Sequence, residues 1–352
     1  MPVTRLRCFS SLERTGCTAL LALTAAGATA AVLSGCTSTT PAIGVYSGRH
    51  YNTDQKLYQE FTARTGIQVK LLEAKDDALI ERLRSEGANT PADVLVLADA
   101  ARLDKAASLG LFRPSRSAEL QKDVPAHLRD AQGRWYGLTR RVRVVIVNPQ
   151  RLNPASIRTY ADLAAPALRG QLCLRNSQSV YNQSLVADQI IQRGEAATGR
   201  WVKGMTANLS QPSFSSDTPL IRAVASGQCG VGLVNSYYVA RMLSGSSGAA
   251  DQQLAERLKV VFPDPAHVNI TGAGVVANAS QPEAALKLIE FLASSKGGRG
   301  YAEANNEYPL QGYGDNPILK RFGSFKADGV SAQQMGAKNQ AAVALMAANG
   351  WR

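Results

Sequence analysis

Histidine is scarce in this chain: His50, His127 and His267 are the only three among 352 residues. Neither HExxH nor GxSxG occurs, and no Ser, His and Asp stand at a spacing that suits a triad. A hydrolytic zinc site needs several converging ligands around an open position, and a nucleophile elbow needs its glycines. The usual signatures of an exported hydrolase or metalloenzyme are therefore missing. Cysteine is also sparse, at five, with no CxxC pair to hold a soft metal. Beyond the N-terminal leader no apolar run approaches the ~20 residues that span a membrane as a helix. No internal repeat is evident.

What is present begins with that leader. Arg5, Arg7 and Arg14 precede a small apolar run from Ala19 to Leu33, which closes on Leu33-Ser34-Gly35-Cys36. This order reads as a secretory signal peptide over 1–35. Its ending resembles a bacterial lipobox, in which the cysteine is lipidated and becomes the mature N-terminus. An uncut anchor is the other reading, but the run is short and rich in Ala, Gly and Thr. Residues 36–41 then form a tether. Cys8 and Cys17 leave with the leader and Cys36 carries lipid, so Cys173 and Cys229 remain in an oxidising compartment. A disulfide is their default state. Net charge falls from +12 to about +10 on loss of the leader. The basic residues are scattered and the protein is exported, which argues against nucleic acid. The mature chain of about 317 residues exceeds what one core usually organises, so two lobes are expected.

Strands and helices alternate from Ala42: strands at 42–46, 68–73 and 92–97, with helices through Leu57 and Phe61, Leu79 and Leu83, and Leu103 and Ala106. Thr53 is a candidate cap for the first helix. The rhythm calls for a mainly parallel or mixed sheet flanked by helices, with ligands at the carboxyl ends of strands. Val142 to Asn148 is long enough to cross between lobes, and Val260 to Phe262 followed by Ile270 to Val276 reads as the return. Helices are expected over 182–191, 196–205 and 218–225, a strand over 230–237, a helix from Pro282, and a helical tail over 332–349. The implied lobes are 42–140 plus 267–315 and 141–266 plus 316–352.

Three segments concentrate unusual chemistry: Arg49-His50-Tyr51, Ser179-Val180-Tyr181, and Asn235-Ser236-Tyr237-Tyr238. Neighbouring side chains on a strand face opposite ways. Both phenols of the last pair can therefore reach one cleft only where the strand ends. Singly, each tyrosine is a packing residue with a satisfied hydroxyl. Together, four phenols and one imidazole suit a hard trivalent metal, because hard cations prefer anionic oxygen donors. Ser179 as a helix cap would put Tyr181 at the positive end of a helix, which favours phenolate. Tyr46, Tyr58, Tyr136 and Tyr160 lack that placement and read as structural. His127 and His267 read as packing or hinge residues.

The segments "SGRHYNTD", "ALIERLRSEGANTPADVLVLADAARL", "SVYNQSLVA", "NSYYVAR" and "HVNITGAGVVANA" resemble the periplasmic ferric-iron-binding proteins of bacterial ABC importers. Within family 1 of the extracellular solute-binding proteins, they are most similar to the cyanobacterial iron-deficiency-induced protein A group. The resemblance covers nearly all of the mature chain. It implies an α/β two-lobed periplasmic-binding-protein fold with two crossing hinge strands. It also implies His50, Tyr51, Tyr181, Tyr237 and Tyr238 as iron ligands, with water or a small anion completing the sphere. Four tyrosinates around Fe(III) would call for cations nearby. Arg241 is the first candidate, Arg49 and Arg102 follow, and Arg141 and Arg143 are weaker ones. The implied partners are a permease with its ATPase, and a membrane through the lipid; a monomer is expected. A receptor of the same fold for an oxyanion or a polyamine stands as the alternative, ahead of an exported hydrolase.

Overall fold

The computed structural model describes residues 41–49 and 54–352. The leader, Cys36, and the short segment holding His50, Tyr51 and Thr53 lie outside the described residues. The first lobe starts with the expected alternation: β1 (Ala42–Ser47), α1 (Gln55–Thr65), β2 (Gln68–Glu73), α2 (Asp76–Glu86), β3 (Val94–Leu97) and α3 (Ala100–Ser108). α1 buries Leu57, Tyr58 and Phe61 on one stripe and stops at Gly66, whose left-handed φ of 73° ends a helix without a Cβ penalty. Asp54 occupies the N-cap position of α1, but its carboxylate pairs with Arg49 instead of capping the helix.

After α4 (Ala118–Asp123) the chain enters β4 (Tyr136–Val147), whose 12 residues serve both lobes. The second lobe contains β5 (Leu172–Cys173), α5 (Val180–Arg193), α6 (Glu195–Ala207), α7 (Asp217–Ala225), β6 (Val231–Asn235), α8 (Ser236–Leu243), α9 (Ala249–Ala255) and β7 (Lys259–Val261). The chain returns through β8 (Val268–Val275) to α10 (Pro282–Ala293), α11 (Gly297–Glu303) and β9 (Tyr308–Pro309). The tail holds α12 (Pro317–Phe322), α13 (Ala332–Ala337) and α14 (Asn339–Ala348). Among the described residues no helix is long and apolar enough to cross a membrane.

The strands run in the order β2-β1-β3-β8-β4-β6-β5. β1 pairs with β2 and β3 in parallel, whereas β8 is antiparallel to both β3 and β4. The first half of β4, to Val142, pairs with β8, and the second half, from Arg143, pairs with β6. Strand alternation then sorts the second half. Val144 and Ile146 enter one apolar cluster with Val234 and Leu220, while Val145 and Val147 enter another with Leu185, Trp201 and Trp351. A separate cluster built on β1, β3, α3 and α10 makes the first lobe's core. The architecture is thus two-lobed α/β, each lobe a mixed sheet flanked by helices.

Three sequence expectations are corrected. β4 starts at Tyr136 rather than Val142, because Tyr136 and Gly137 already pair with Ala273 and Gly272. β7 does not return across the hinge; it pairs with the second half of β4, and β8 alone makes the return. The strand expected over 230–237 ends at Asn235, and both tyrosines belong to a helix. The tail divides as well: Ala332 and Met335 of α13 pack into the first lobe's core, while Ala342 and Met346 of α14 pack into the second.

The expected disulfide joins Cys173 to Cys229, with Cα atoms 5.9 Å apart and a sequence separation of 56. Both cysteines are buried, and the bridge ties the end of β5 to the approach to β6. In the chain-entropy description, closing a loop of this length stabilises by up to about 4 kcal/mol. Replacing both cysteines with alanine should therefore lower the midpoint of urea unfolding by an amount corresponding to about 2–4 kcal/mol. Mass spectrometry of the wild type without reductant should find no free thiol at either position.

Candidate metal centre

In the second lobe two helices start beyond the carboxyl ends of strands, and both carry tyrosine in their first turn. Beyond β5 the chain passes through Arg175 and enters α5 at Val180, with Tyr181 as its second residue. Ser179 stands at the N-cap position, as expected, but its hydroxyl caps nothing. β6 reaches its last ladder partner where Asn235 faces Arg143. Val239, Ala240 and Leu243 then supply the i, i+1, i+4 apolar spacing that turns the chain into α8. Tyr237 and Tyr238 lie in its first turn. Consecutive helical residues diverge by ~100°, so both phenols can serve one side without distorting a strand. The positive ends of two helices therefore meet at these hydroxyls.

The structure brings the three described tyrosines together. The Tyr237 hydroxyl donates to that of Tyr181 at 3.3 Å, and the rings of Tyr237 and Tyr238 are 4.3 Å apart. Tyr237 is 2% exposed, and the other two are half-buried. His50 and Tyr51 lie outside the described residues. The residues on either side of their segment are firmly held. Arg49 is buried, pairs with Asp54 at 2.9 Å and with Glu307 at 3.2 Å, and stacks 3.8 Å over the Tyr301 ring. Gly48 donates its N–H to the Val96 carbonyl, and a Cβ there would fall on the Asp76 carboxylate, so any other residue would require Asp76 to move.

Two guanidiniums flank the phenols. Arg141 lies 5.1 Å from the Tyr181 ring and Arg175 lies 5.4 Å from it. Burial alone would lower the pKa of Arg141, but Tyr181, Glu307, Tyr237 and Asp99 outweigh it and hold the cation well above its ordinary value. Arg175 is likewise held charged against burial by Asp217, Tyr238 and Tyr181. Asp217 orients this pair of neighbours, accepting from Arg175 at 2.6 Å and from Arg143 at 3.2 Å. Arg143 also donates to Asn182 at 2.5 Å and to Asn235 at 3.3 Å, the residues beside Tyr181 and just before α8. It acts on the site by fixing both helix starts.

The charge-balancing candidates therefore reorder. Arg49 is spent on Asp54 and Glu307, and Arg102 pairs with Asp77 at 2.8 Å. Arg241 is half-buried in the last turn of α8. Arg141, ranked low from sequence, faces Tyr181, and Arg175 was missed. Its position just past the end of β5 was the signal, since ligands of such sheets gather at carboxyl ends. Sequence reasoning also missed the first lobe's contribution. Asp99, the N-cap of α3 just past β3, accepts from Ser184 of α5 at 2.8 Å, a direct bond between lobes. Burial, with Asp99 adding to it, raises the Asp76 carboxyl to about 6, although Ala98 N–H and Arg141 pull it down. The remaining tyrosines are structural as expected: Tyr46 bonds Glu86, Tyr136 the Ser115 carbonyl and Tyr160 the Arg143 carbonyl, and Tyr58 is buried in the first core.

Residues 89–326 match the sequence model of the family described as "Bacterial extracellular solute-binding protein". The chain is 43% identical over 315 residues to Iron uptake protein A1 of Synechocystis, covering 88% of this chain and 87% of that one. It is 29% identical to the major ferric iron-binding protein of Neisseria meningitidis serogroup B, over 89% and 94% of the two chains. Among solved structures, a Trichodesmium protein, IdiA (FutA), in complex with iron and citrate ligands, superposes with a TM-score of 0.85 at 43% identity. That likeness covers 88% of this chain and all of the other. The fold is thus the two-lobed one of the periplasmic binding proteins, and the chain belongs to the bacterial extracellular solute-binding protein family, with periplasmic iron-binding proteins among its relatives.

Proposed function

We propose that this protein is an extracytoplasmic substrate-binding protein without catalysis, which captures ferric iron between its lobes and delivers it to an ABC permease and its ATPase. The observation that carries this reading is the convergence of Tyr181, Tyr237 and Tyr238 beside two guanidiniums. Fe(III) prefers anionic oxygen, and direct bonding to such a cation removes a phenol proton that otherwise leaves near pH 10. His50 and Tyr51 are assigned as the first lobe's ligands, on the segment that follows the anchored Arg49. Four tyrosinates and a neutral imidazole around Fe(III) leave a formal charge of about −1. Arg141 and Arg175 offset that charge, with Arg241 at the end of α8 adding to it. Citrate accompanies iron in the Trichodesmium relative, and water or a small anion completes the sphere here.

The lobes are assigned as 42–140 plus 267–315 and 141–266 plus 316–352, with α13 reaching across to the first. Export through the 1–35 leader and lipidation of Cys36 put the monomer in the periplasm, tethered to a membrane by residues 36–41. The guanidiniums oppose a polyamine as cargo. They and the two helix starts would suit an oxyanion, and that reading requires citrate or phosphate to bind equally well without iron.

Adding Fe(III) to the metal-free protein should give a coloured complex from tyrosinate-to-iron charge transfer. Tyr237→Phe and Tyr238→Phe should each weaken iron binding beyond the roughly 10–100-fold that loss of an outer-shell partner costs. A colourless protein that takes up no iron rejects the assignment. Each ligand phenol loses its proton on binding, so affinity falls as pH falls. Arg175→Gln removes a cation that favours phenolate, and should move the pH at which the colour is half lost upward, with about 10–100-fold weaker binding. An unchanged midpoint takes Arg175 out of the charge balance. Expressed with its own leader, the wild type should fractionate with membranes and Cys36→Ser should not; equal fractionation of the two rejects the lipid anchor.

A further inference from the structure

A second cluster of titratable groups lies at the hinge and takes no part in the site above. The His267 side chain is fully buried, with Nδ1 3.5 Å from Asp328 and 3.8 Å from Asp188. The three come from different parts of the chain. His267 follows Ala266 of a second-lobe core cluster and leads through Val268 to Ile270 in the first core. Asp328 lies where the tail passes from Phe325, packed on that same second-lobe cluster, to Val330 and Ala332 in the first core. These two passages are joined directly: Ala266 bridges Ala327, Ala266 N–H donates to the Lys326 carbonyl, and Val268 N–H donates to Asp328 at 3.2 Å. Asp188 arrives from α5, the helix that begins with Tyr181. Tyr160 adds the third passage, since its hydroxyl donates to the Arg143 carbonyl of β4 and accepts from His267 N–H.

We propose that Asp188, His267 and Asp328 form a proton-binding hinge clasp, in which an imidazolium shared by two carboxylates locks the crossing segments together and stiffens the hinge as pH falls. The surrounding groups agree with a proton as the occupant. Asp188 already accepts from the amides of Gln189 and Gln192, and Asp328 from Val268 and Val330 N–H, so both carboxylates are held in place beside the imidazole. Facing the cluster are Asp99, the Tyr160 hydroxyl, Arg143 beyond it, and His127 on the Asp328 side. Burial alone would lower the His267 pKa, but Asp328, Asp188 and Asp99 raise it above the ordinary histidine value. Burial, with Asp328 adding to it, raises Asp188 despite the opposing His267. Both shifts favour proton uptake: on His267 as the imidazolium, and at lower pH on Asp188 as the neutral acid, which leaves the imidazolium paired with Asp328. The clasp holds protons more tightly than the exposed groups would, so its stabilisation is present in acid and is lost as pH rises through the histidine range.

The test uses iron-free protein with chelator, so it stands whether or not iron is the cargo. Hydrogen exchange over 266–270 and 326–332, corrected for the intrinsic rate, should show protection rising from pH 8 to pH 5.5, by up to about tenfold per unit where the clasp titrates. His267→Gln should abolish that rise, and Asp188→Asn should reduce it. NMR of the wild-type imidazole decides without any variant: His267 should titrate above the free value of about 6.5, and titration at or below it overturns the clasp. Protection that does not depend on pH in the wild type also overturns it. So does protection that rises only on adding Zn(II), which would make the cluster a metal site.

Discussion

One strand has to belong to two cores at once, and the arrangement of the cleft follows from that. β4 gives its first half to β8 and its second half to β6. At the changeover the apolar alternation is interrupted by Arg141 and Arg143, both buried. A buried guanidinium is tolerated only with its charge matched and its donors engaged. Arg143 meets that requirement through Asp217, Asn182 and Asn235. Arg141 bonds the Ile270 carbonyl and faces the phenols of the second lobe. The crossing strand thus sets both the mechanical axis of the molecule and the positive field of its site.

That field bears on how phenols work in a cleft lined by protein. Tyrosine is a poor anion at neutral pH unless something nearby is positive. Here the positive surroundings are built in before any cargo arrives, as two guanidiniums and two helix starts. Arg175 and Arg143 share Asp217, so the carboxylate that holds one cation against the tyrosines also holds the residue that positions their helices. The first lobe answers with carboxylates, Asp76 and Asp99, both of which act on Arg141 electrostatically. The cation therefore lies at the boundary between acidic and phenolic walls.

The hinge has its own polar core, distinct from the apolar clusters on either side. A junction made of apolar side-chain packing alone would respond to shape and not to pH. One made of Asp188, His267 and Asp328 depends on proton occupancy as well as shape. Ser184 and Asp188 lie one turn apart on α5; the first bonds the first lobe directly and the second enters the hinge cluster. Movement of the helix that presents Tyr181 is thus coupled to both.

Much of this was legible in the chain itself. Short apolar runs and helical spacings mark β1 to α3 to within about two residues at the strand ends, because these elements follow one another closely in sequence. The cysteine pair was readable because, with Cys8, Cys17 and Cys36 set aside as part of the expected leader and its lipidation site, two thiols remain and one way to join them. Tyr181 at a helix start followed from Ser179 before an apolar helical stripe. What sequence alone could not decide were matters of distant partners. The run from Val231 to Val234 is strand-like and Tyr237-Tyr238-Val239 prolongs that look, so the stop at Asn235 shows clearly only where the ladder opposite Arg143 ends and Asn235 takes the N-cap position of α8. Which arginine faces the phenols depends on where β4 crosses and where β5 ends, not on nearness in sequence to a tyrosine. Local periodicity is written in adjacent residues, and so it determined the elements. Charge pairing, the hinge cluster and the convergence of the phenols join residues tens to hundreds of positions apart, and only the tertiary structure could bring them together.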